Sequence, residues 1–441
     1  MHPTTIITPD SIGDGHEICP GVCGAELPRD GTLSCVAIAV PSVGPDDVRA
    51  ARELLRGVVR PTPMEESRWL ESLIAGPAYL KCENLQRAGS FKIRGAYTRI
   101  SRLTDAERSR GVVAASAGNH AQGVALAARM LGAKATVFMP DGAPIVKERA
   151  TKSYGAAVRF AGATVDEALT YARAFSDETG AVLIHPFDHP DVVAGQGSVG
   201  LEIVEQCPDV KTVIVGVGGG GLMAGIGLAL KEARPDARLV GVQAEGAAAY
   251  PESLAAGHPV ALQRMTTMAD GIAIGRPGDV PFEIVQRVTD DVVTVSEESM
   301  SQSLIALLER AKQVVEPAGA ASVAAIMDDP GRFEPPVVAV LSGGNIDPLL
   351  LLRVIRHGMA AAGRYLSFRV RIPDSPGGLA GLLRELAVAD ANVLDVVHER
   401  TGAGLHLHEV EVALQVETRG PEHCSQVLAA LRAADYPVAV V

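Results

Sequence analysis

Short apolar runs rich in β-branched residues alternate with longer amphipathic stretches along most of the chain. Residues 133–139, 182–185 and 213–215 are runs of the first kind, and residues 165–178 are a stretch of the second kind. Parallel strands that are covered on both faces need continuous apolar runs, and the connection between two such strands is usually a helix. The pattern therefore predicts an α/β fold, with parallel sheets covered by helices, up to about residue 362.

The pattern changes near residues 356–364, and the residues that follow predict a smaller α+β unit. Its predicted order is strand, helix, strand, strand, helix, strand, which is typical of a ferredoxin-like fold. The predicted elements, in chain order, are residues 365–372, 379–388, 392–399, 405–417, 421–433 and 438–441.

The first 45 residues show neither pattern, because Pro, Gly, Thr and Asp interrupt them repeatedly. They predict a disordered N-terminal extension. A zinc site formed by His16, Cys19, Cys23 and Cys35 is the alternative, but the spacing of these residues matches no standard zinc motif.

Composition and charge indicate which residue types form the core and which classes of partner the chain can bind. Aromatic residues make up 4% of the chain and hydrophobic residues 47%, so Ala, Val, Leu and Ile must build most of the core. The net charge is −12, and no nucleic-acid partner is predicted. No window reaches about 18 uninterrupted apolar residues, and no basic segment precedes an apolar core at the N-terminus. A cytoplasmic protein without a membrane partner is predicted.

Residues 90–96, with the sequence SFKIRGA, hold the first candidate for chemistry. They follow an apolar run at residues 78–81 and place Lys92 between an aromatic ring and a turn of small residues. A lysine acts as a covalent amine catalyst only when its neutral form is accessible, which favours a partly desolvated position. On its own, the same segment also fits a solvated surface lysine.

Residues 216–221, with the sequence GVGGGG, hold the second candidate. They follow the β-branched run at residues 213–215 and precede a helical pattern. A strand, a glycine loop and a helix N-terminus together form an anion site, because free backbone N–H groups can surround a phosphate. The loop lacks both the Gly-Lys-Ser/Thr ending of nucleotide loops and a complete dinucleotide fingerprint. A phosphate site of another kind is therefore predicted, with a flexible turn as the alternative.

Two further motifs follow apolar runs in the same way. Asn119 lies in residues 115–123 (ASAGNHAQG), where its amide can donate a hydrogen bond and the N–H groups of a new helix can hold a carboxylate. Ser342 begins residues 342–345 (SGGN), directly after the run at residues 337–341. Asn119 alone would also fit an ordinary helix cap. With the lysine segment and the glycine loop, however, the two motifs form a set that chance does not explain.

In this order, the four motifs resemble the fold-type II pyridoxal-phosphate enzymes, the group that includes tryptophan synthase β. Within that group, residues 46–362 are most similar to threonine ammonia-lyases. Further blocks that resemble this family are residues 81–86, 185–188, 194–197, 268–273 and 315–320. The resemblance implies a catalytic domain at residues 46–362, in which a smaller α/β lobe at roughly residues 90–195 is inserted in a larger one and the cofactor lies between them.

The resemblance also implies a role for each candidate residue. Lys92 would form a Schiff base with pyridoxal phosphate and remove the α-proton of the substrate, and Phe91 would lie against the cofactor ring. Asn119 would hydrogen-bond the phenolic oxygen, and Ser342 would meet the pyridine nitrogen. The residues expected to hold the phosphate through their backbone amides are Gly218, Gly219, Gly220, Gly221 and Leu222. The residues expected to position the substrate carboxylate, together with Asn119, are Ser116, Gly118 and His120.

The implied reaction is the α,β-elimination of L-threonine to 2-oxobutanoate and ammonia, and also of L-serine to pyruvate. The departing β-hydroxyl needs a proton, and no carboxylate in the motifs is evidently placed to donate it, so the cofactor phosphate is the expected donor. Ser342 favours rapid elimination over transamination, because a hydroxyl does not hold a proton on the pyridine nitrogen as a carboxylate would.

Three other activities are alternatives. Serine racemases resemble this chain but carry a serine where Ala117 stands, and that hydroxyl protonates the opposite face of the carbanion. With Lys92 as the acid–base group on one face only, slow racemisation and predominant dehydration are expected. A β-replacing enzyme of the same fold is the second alternative. A silent amino-acid-binding protein is the third, and the intact motifs argue against it.

A metal site is considered in the segment after the apolar run at residues 239–242, where some relatives bind a divalent cation. Glu245 and the backbone carbonyl of Ala249 are available there, but Pro251 stands where a second carboxylate would fall. One carboxylate holds a hard cation weakly, so no metal site is predicted on Glu245 and Ala249. A requirement for a monovalent or divalent cation is left open.

The C-terminal unit, residues 364–441, resembles an ACT domain, a module that often pairs with copies of itself and binds amino acids. The resemblance implies a homodimer or homotetramer and an allosteric effector. Isoleucine or valine is the expected effector, because 2-oxobutanoate feeds isoleucine biosynthesis. A dimerisation module without a ligand is the alternative.

Overall fold

The structure of the protein is a computed structural model, which describes residues 43–400 and 405–440. Most of the predicted N-terminal extension lies outside the described residues. The zinc alternative on His16, Cys19, Cys23 and Cys35 lies outside them too.

Strands β1 to β10 lie in the part of the chain for which parallel sheets were predicted. They are β1 Met64–Glu66, β2 Ala78–Lys81, β3 Val112–Ala115, β4 Ala135–Met139, β5 Ala157–Phe160, β6 Val182–Leu183, β7 Thr212–Gly216, β8 Arg238–Ala244, β9 Asp291–Val295 and β10 Val337–Val340. Strands β3, β7 and β10 are buried along their whole length, which accounts for their continuous apolar sequences.

These strands form two sheets. The larger sheet has the order β1-β2-β10-β7-β8-β9, and the smaller sheet has the order β5-β4-β3-β6. Every ladder in them is parallel except the pairing of β1 with β2 at the edge of the larger sheet. The prediction of an α/β fold with parallel sheets is confirmed.

Helices α1 to α14 connect and cover these strands. They are α1 Pro45–Leu55, α2 Arg68–Ile74, α3 Lys92–Ser101, α4 Asp105–Arg110, α5 Asn119–Met130, α6 Ile145–Ser153, α7 Val165–Thr179, α8 Pro190–Gln206, α9 Gly221–Ala233, α10 Ala249–Ala256, α11 Asp279–Val288, α12 Glu297–Ala306, α13 Pro317–Asp328 and α14 Pro348–Ala361. Among the residues that the structure describes, no helix combines the length and the hydropathy needed to span a bilayer.

Helix α8 packs closely on both α3 and α9, and glycines make these contacts possible. A side-chain carbon added at Gly195 would lie 2.6 Å from the carbonyl oxygen of Arg94 in α3. A side-chain carbon added at Gly225 in α9 would lie 2.5 Å from the backbone nitrogen of Gly197. Because α3 begins at Lys92 and α9 begins in the glycine loop, α8 sets the position of these two candidate elements relative to each other.

The C-terminal part of the chain forms a separate antiparallel sheet with two helices. Its elements are β11 Tyr365–Pro373, α15 Gly378–Val388, β12 Asn392–Glu399, β13 Glu409–Glu417, α16 Pro421–Ala433 and β14 Val438–Val440. The strand order is β12-β13-β11-β14, and every neighbouring pair is antiparallel. The predicted ferredoxin-like fold is confirmed.

One predicted boundary in this sheet is wrong. The third strand was expected over residues 405–417, but β13 begins at Glu409. Its neighbour β11 ends at Pro373, the partner of Glu409, so no strand is available to pair with the preceding residues. Those residues form a turn instead, in which the backbone N–H of Glu409 donates to the carbonyl of His406 at 3.0 Å.

Four charged side chains form a buried ion cluster that joins β2, α3 and α8. The Arg94 guanidinium donates to both carboxylate oxygens of Glu83, at 2.8 and 2.7 Å, and to Glu202 at 2.7 Å. The Lys81 ammonium donates to the other oxygen of Glu202 at 2.6 Å. Because two positive and two negative charges neutralise one another there, the cluster is tolerated away from water.

We expect the replacement of Arg94 by Met to destabilise the fold. Arg94 and Glu83 are fully buried, and Glu202 is 7% exposed, so the variant leaves two buried carboxylates that Lys81 alone cannot compensate. Removing one member of a buried ion pair costs about 3 to 5 kcal/mol. Urea unfolding monitored by the fluorescence of Trp69, the single tryptophan in the chain, would measure the change.

Arg56→Met is the matched control, because the Arg56–Glu53 pair lies on the surface with side chains 77% and 63% exposed. An exposed pair of this kind contributes about 0 to 1 kcal/mol. A loss of stability in Arg94→Met no larger than that in Arg56→Met would contradict the assignment of the buried cluster.

Candidate active site

The predicted motifs lie at the carboxyl ends of parallel strands. The glycine loop follows β7, Ser342 follows β10, and residues 116–120 follow β3. Ligands of open α/β sheets bind at this edge of a sheet. Strands β7 and β10 are neighbours in the larger sheet, whereas β3 lies in the smaller one.

The lysine segment is paired with the segment that carries Ser342. The backbone N–H of Phe91 donates to the carbonyl of Ser342 at 3.2 Å, and the N–H of Gly344 donates to the carbonyl of Gly89 at 2.9 Å. These two bonds bring the start of α3, and with it Lys92, beside the end of β10. Two motifs that are about 250 residues apart in the sequence are therefore neighbours in the fold.

The Lys92 ammonium is held in a poorly solvated position. Its Nζ donates to the carbonyl of Pro186 at 3.0 Å and lies 5.0 Å from the centre of the Phe91 ring. Burial lowers the pKa of Lys92 from 10.5 to about 8, against the opposing negative charge of Glu316. The neutral amine that covalent chemistry requires is therefore much more accessible than in an exposed lysine.

Asn119 is oriented by a chain of side-chain hydrogen bonds. The Asn345 amide donates to the Asn119 carbonyl oxygen at 2.7 Å and to the backbone carbonyl of Ala88 at 2.7 Å. The Asn119 amide in turn donates to a carboxylate oxygen of Glu316 at 2.5 Å. Both ends of the Asn119 amide are therefore fixed, its oxygen by Asn345 and its nitrogen by Glu316.

Glu316 is a buried carboxyl group that sequence reasoning did not assign to the site. Burial raises the pKa of Glu316, while the hydrogen bond from Asn119 opposes that change. Its backbone N–H donates to the carbonyl of Gly343 at 3.0 Å, which keeps it next to the Ser342 segment. Sequence analysis identified no carboxylate evidently placed to donate a proton to the departing hydroxyl, and Glu316 is the carboxyl group that the structure places near Asn119 and Lys92. Two features of the sequence could have indicated Glu316: it lies in the block at residues 315–320 that resembles the family, and the SGGN motif ends in an asparagine.

The glycine loop turns sharply into α9. Gly220 is the residue before the helix and has a φ of 96°, a conformation that favours glycine. A side-chain carbon added at Gly219 would lie 2.3 Å from the ring of Phe187, so the loop is covered closely on that side. Backbone N–H groups and the positive end of α9 are what the loop offers to a ligand, and this combination suits an anion.

Residues 186–187 connect the lysine to the glycine loop. The carbonyl of Pro186 accepts the hydrogen bond from Lys92, the ring of Phe187 lies on Gly219, and the backbone of Phe187 lies close to Gly221. The ring of His185 meets that of Phe187 edge to face, with centroids 4.7 Å apart. Sequence analysis identified residues 185–188 only as a block that resembles the family. Their contacts could not be predicted, because they involve chain segments that are far apart in the sequence.

The residues expected to bind a carboxylate lie around the start of α5. The Ser116 hydroxyl accepts a hydrogen bond from the N–H of Gly118 at 3.0 Å. The Nε2 atom of His120 lies 2.7 Å from the carbonyl of Ile184, and burial, with the nearby charge of Lys92, lowers the pKa of His120 to about 3. The His120 ring is therefore neutral and is hydrogen-bonded to the backbone, and the first turn of α5 also offers N–H groups without a partner in the helix.

The two residues considered for a metal do not form a ligand cluster. Glu245 is exposed, whereas Ala249 is buried at the start of α10. Within residues 43–400 and 405–440, no group of three or more His, Cys, Asp or Glu side chains is arranged to hold a metal ion.

Comparison with known families and curated proteins gives consistent results. A family model described as "Pyridoxal-phosphate dependent enzyme" matches residues 55–343. The L-threonine ammonia-lyase of Thermotoga maritima is 43% identical over 396 residues, which are 90% of this chain and 99% of the relative. A catabolic L-threonine dehydratase of Escherichia coli K12 is 44% identical over 307 residues, which are 68% of this chain and 93% of the relative.

Solved structures show the same likeness. The crystal structure of a T.th. threonine deaminase is 41% identical with a TM-score of 0.66, and the match covers 70% of this chain and 99% of that one. Maize serine racemase is 34% identical with a TM-score of 0.68, and the match covers 73% of this chain and 99% of that one.

We expect the cofactor-free protein to capture pyridoxal phosphate with a pH dependence set by Lys92. Only the neutral amine reacts with an aldehyde, so the capture rate should rise about tenfold per pH unit below 8 and level off above it. Stopped-flow absorbance of the bound cofactor would measure the rate, and Lys92→Arg should abolish it. A rate that keeps rising to about pH 10, as for an ordinary lysine, would contradict the lowered pKa of Lys92.

The residues described above fit pyridoxal phosphate. The glycine loop offers N–H groups without side chains for a phosphate, and Gly220 has no room for a side-chain carbon, which would lie 1.9 Å from the hydroxyl oxygen of Tyr250. Lys92 offers a partly desolvated amine, and Asn119 offers an oriented donor. The family model and the relatives cover the whole segment that carries these residues. The chain therefore belongs to the pyridoxal-phosphate-dependent enzymes, and pyridoxal phosphate is its cofactor.

Proposed function

We propose that the protein is a threonine ammonia-lyase, which converts L-threonine to 2-oxobutanoate and ammonia and also converts L-serine to pyruvate. The observation that carries the proposal is that Lys92 has a pKa lowered to about 8 and donates to Pro186, whose neighbour Phe187 covers the glycine loop. The relatives named L-threonine ammonia-lyase support the substrate, because they match this chain over almost their whole length.

Lys92 is proposed to attach the cofactor and to move the α-proton. Its amine would hold pyridoxal phosphate through the aldehyde group, and its Nζ would accept the α-proton of a substrate whose amine had taken its place. Bound pyridoxal phosphate supplies the conjugated ring that takes up the negative charge left on the α-carbon. The low-dielectric surroundings of Lys92 favour its neutral form before this transfer and so support its role as the base.

Five other groups are proposed to hold the cofactor and the substrate. Phe91 would lie against the cofactor ring, Asn119 would donate to its phenolic oxygen, and Ser342 would meet its pyridine nitrogen. The backbone amides of residues 218–222 would bind the phosphate. The substrate carboxylate binds at the start of α5, and the residues proposed for it are Ser116, Gly118, Asn119 and His120.

Glu316 is proposed to position Asn119, whose amide donates to its carboxylate oxygen. Burial raises the pKa of Glu316, so this carboxyl group takes up a proton more readily than an exposed one does.

Racemisation is proposed to be slow. Ala117 has no hydroxyl with which to protonate the face opposite Lys92, and its neighbour Ser116 is engaged by the N–H of Gly118. The similarity to maize serine racemase supports a shared fold rather than a shared outcome.

The C-terminal unit at residues 364–441 is proposed to be an ACT domain that binds isoleucine or valine, with the catalytic domain at residues 46–362. A surface cavity of about 340 Å³ between the ends of β11 and β12 supports this proposal. Its charged residues are Asp374 and Arg400, which pair at 3.2 Å. Arg400 suits a carboxylate and Asp374 suits an ammonium group. The apolar residues that line the cavity are Ile372, Pro373, Leu379 and Ala380.

A role in isoleucine biosynthesis and an assembly of two or four copies in the cytoplasm stay predictions. Strand β12 supports self-association, because it lies at the edge of its sheet and exposes Leu394 and Val397. An unpaired strand edge with exposed apolar side chains favours pairing with another chain.

We expect Lys92→Ala to reduce the release of 2-oxobutanoate from L-threonine by at least about 1,000-fold, because the variant lacks both the attachment point and the base. Lys134→Ala, which removes an exposed lysine from the smaller lobe, should keep the wild-type rate. A coupled assay of the keto acid would measure both. Activity within about tenfold of wild type in Lys92→Ala would contradict the proposal. Formation of D-serine by the wild type as fast as pyruvate would favour a racemase.

We expect Arg400→Ala to weaken isoleucine binding to the full-length protein about tenfold or more, because a charged hydrogen bond to the carboxylate is lost. Calorimetric titration with isoleucine, and with valine, would measure the effect. Arg384→Ala, on the exposed face of α15, is the matched control and should bind as the wild type does. Equal binding by wild type and Arg400→Ala, or an unchanged response to isoleucine after deletion of residues 364–441, would contradict the effector site.

A further inference from the structure

The end of β8 and the start of α10 contact the glycine loop through the side chains of Gln243 and Tyr250. The side of the loop that these two residues contact is called its outer side. Gln243 is near the end of β8, and Tyr250 is in the first turn of α10. Both side chains are fully buried. Burial of two large polar groups is costly unless each of them is hydrogen-bonded, so their partners indicate what they do.

The partners are backbone carbonyls of the loop and of the segment itself. The Tyr250 hydroxyl donates to the carbonyl of Gly219 at 3.3 Å, and the Gln243 amide donates to the carbonyl of Val217 at 3.2 Å. The Gln243 amide also lies 3.4 Å from the carbonyl of Ala247, and its oxygen accepts the N–H of Tyr250 at 2.8 Å. Gln243 thus holds Tyr250 and the loop in one arrangement.

These bonds fix the direction in which the loop presents its amides. The C=O and N–H groups of one peptide unit point to opposite sides, so a carbonyl held on the outer side turns the following N–H toward the inner side. The carbonyl of Gly219 is held twice, by Tyr250 and by the N–H of Gly278 at 3.1 Å. The N–H of Gly220 is therefore directed away from Tyr250, toward the side where an anion would bind.

The loop depends on this orientation more than most phosphate sites do. Residues 216–222 contain no lysine or arginine, and the whole chain has a net charge of −12. An anion there must be bound by backbone dipoles, whose contribution depends on their direction. Gly220 completes the fit, because any side-chain carbon would overlap the Tyr250 hydroxyl.

We infer that Tyr250 and Gln243 are positioning residues that orient the phosphate-binding amides of the glycine loop. This inference rests on the proposed cofactor site. Tyr250 acts through the loop and not on the reacting atoms, because burial raises the pKa of its hydroxyl and its proton is directed to a backbone carbonyl.

The test compares ligands with and without a phosphate. The full-length protein, freed of its cofactor, is titrated with pyridoxal phosphate and with pyridoxal, and inorganic phosphate is used as a competitor. We expect Tyr250→Phe to bind pyridoxal phosphate and inorganic phosphate about 3- to 10-fold more weakly than the wild type and to bind pyridoxal equally well. Tyr171→Phe, on an exposed tyrosine of α7, should match the wild type with all three ligands.

A second variant, Gln243→Met, keeps the size of the side chain and removes both of its hydrogen bonds to the loop and to Tyr250. It should show the same selective loss for the two phosphate-containing ligands. Thermal unfolding of the cofactor-free variants would identify a general loss of structure.

The outcomes separate this inference from the proposal on which it rests. Wild-type affinity of Tyr250→Phe for pyridoxal phosphate, or an equal loss for pyridoxal phosphate and pyridoxal, would overturn the positioning role alone. A wild-type protein that binds pyridoxal as tightly as pyridoxal phosphate, without competition from inorganic phosphate, would overturn the phosphate site itself and this inference with it.

Discussion

The close packing of α8 against α3 and α9 is the constraint on which the rest of the site depends. Glycines bring the helix backbones together so tightly that no side chain could be placed between them, as at Gly195 and Gly225. The ion pair between Arg94 and Glu202 adds a directional bond to the contact between α3 and α8, and Arg94 is only two residues from Lys92. Helices in contact through glycine have little freedom to slide, because interiors are densely packed and steric overlap rises steeply. Lys92, at the start of α3, and the glycine loop, at the start of α9, are thus both positioned by α8.

Burial has the same consequence for each titratable group near Lys92. It lowers the pKa of Lys92 and of His120 and raises the pKa of Glu316, so all three pKa values shift in the direction that makes the neutral form more accessible. A neutral lysine can react with an aldehyde, a neutral histidine can donate to a carbonyl, and a neutral carboxyl group can keep a proton. The site therefore needs no strong ion pairs of its own, in contrast to the fully charged cluster around Arg94, where both signs are present and compensate each other.

Sequence reasoning succeeded where the signal is local and failed where it depends on contacts across the chain. Periodicity predicted the parallel sheets and the C-terminal ferredoxin-like unit, because alternation and apolar runs follow from which faces of a strand are buried. It could not show that Glu316 meets Asn119, which is 197 residues away, or that Tyr250 supports Gly219. Such pairs arise from strand order and helix packing, which cannot be recognised from the sequence around either residue of a pair. The start of β13 was missed for a related reason, since a strand ends where its partner ends, whatever its own sequence prefers.

The connection between the two parts of the chain limits how the C-terminal unit could influence the reaction. Asn345, which orients Asn119, is followed two residues later by Asp347, whose side chain caps α14, and α14 leads to the first strand of the C-terminal sheet. A ligand in that sheet changes the reaction only if it binds more tightly to one arrangement of the protein than to another. Helix α14 packs on α12, where Gly358 lies close to Ile305. Asn345 is therefore the first residue of the site that a movement of α14 would reach.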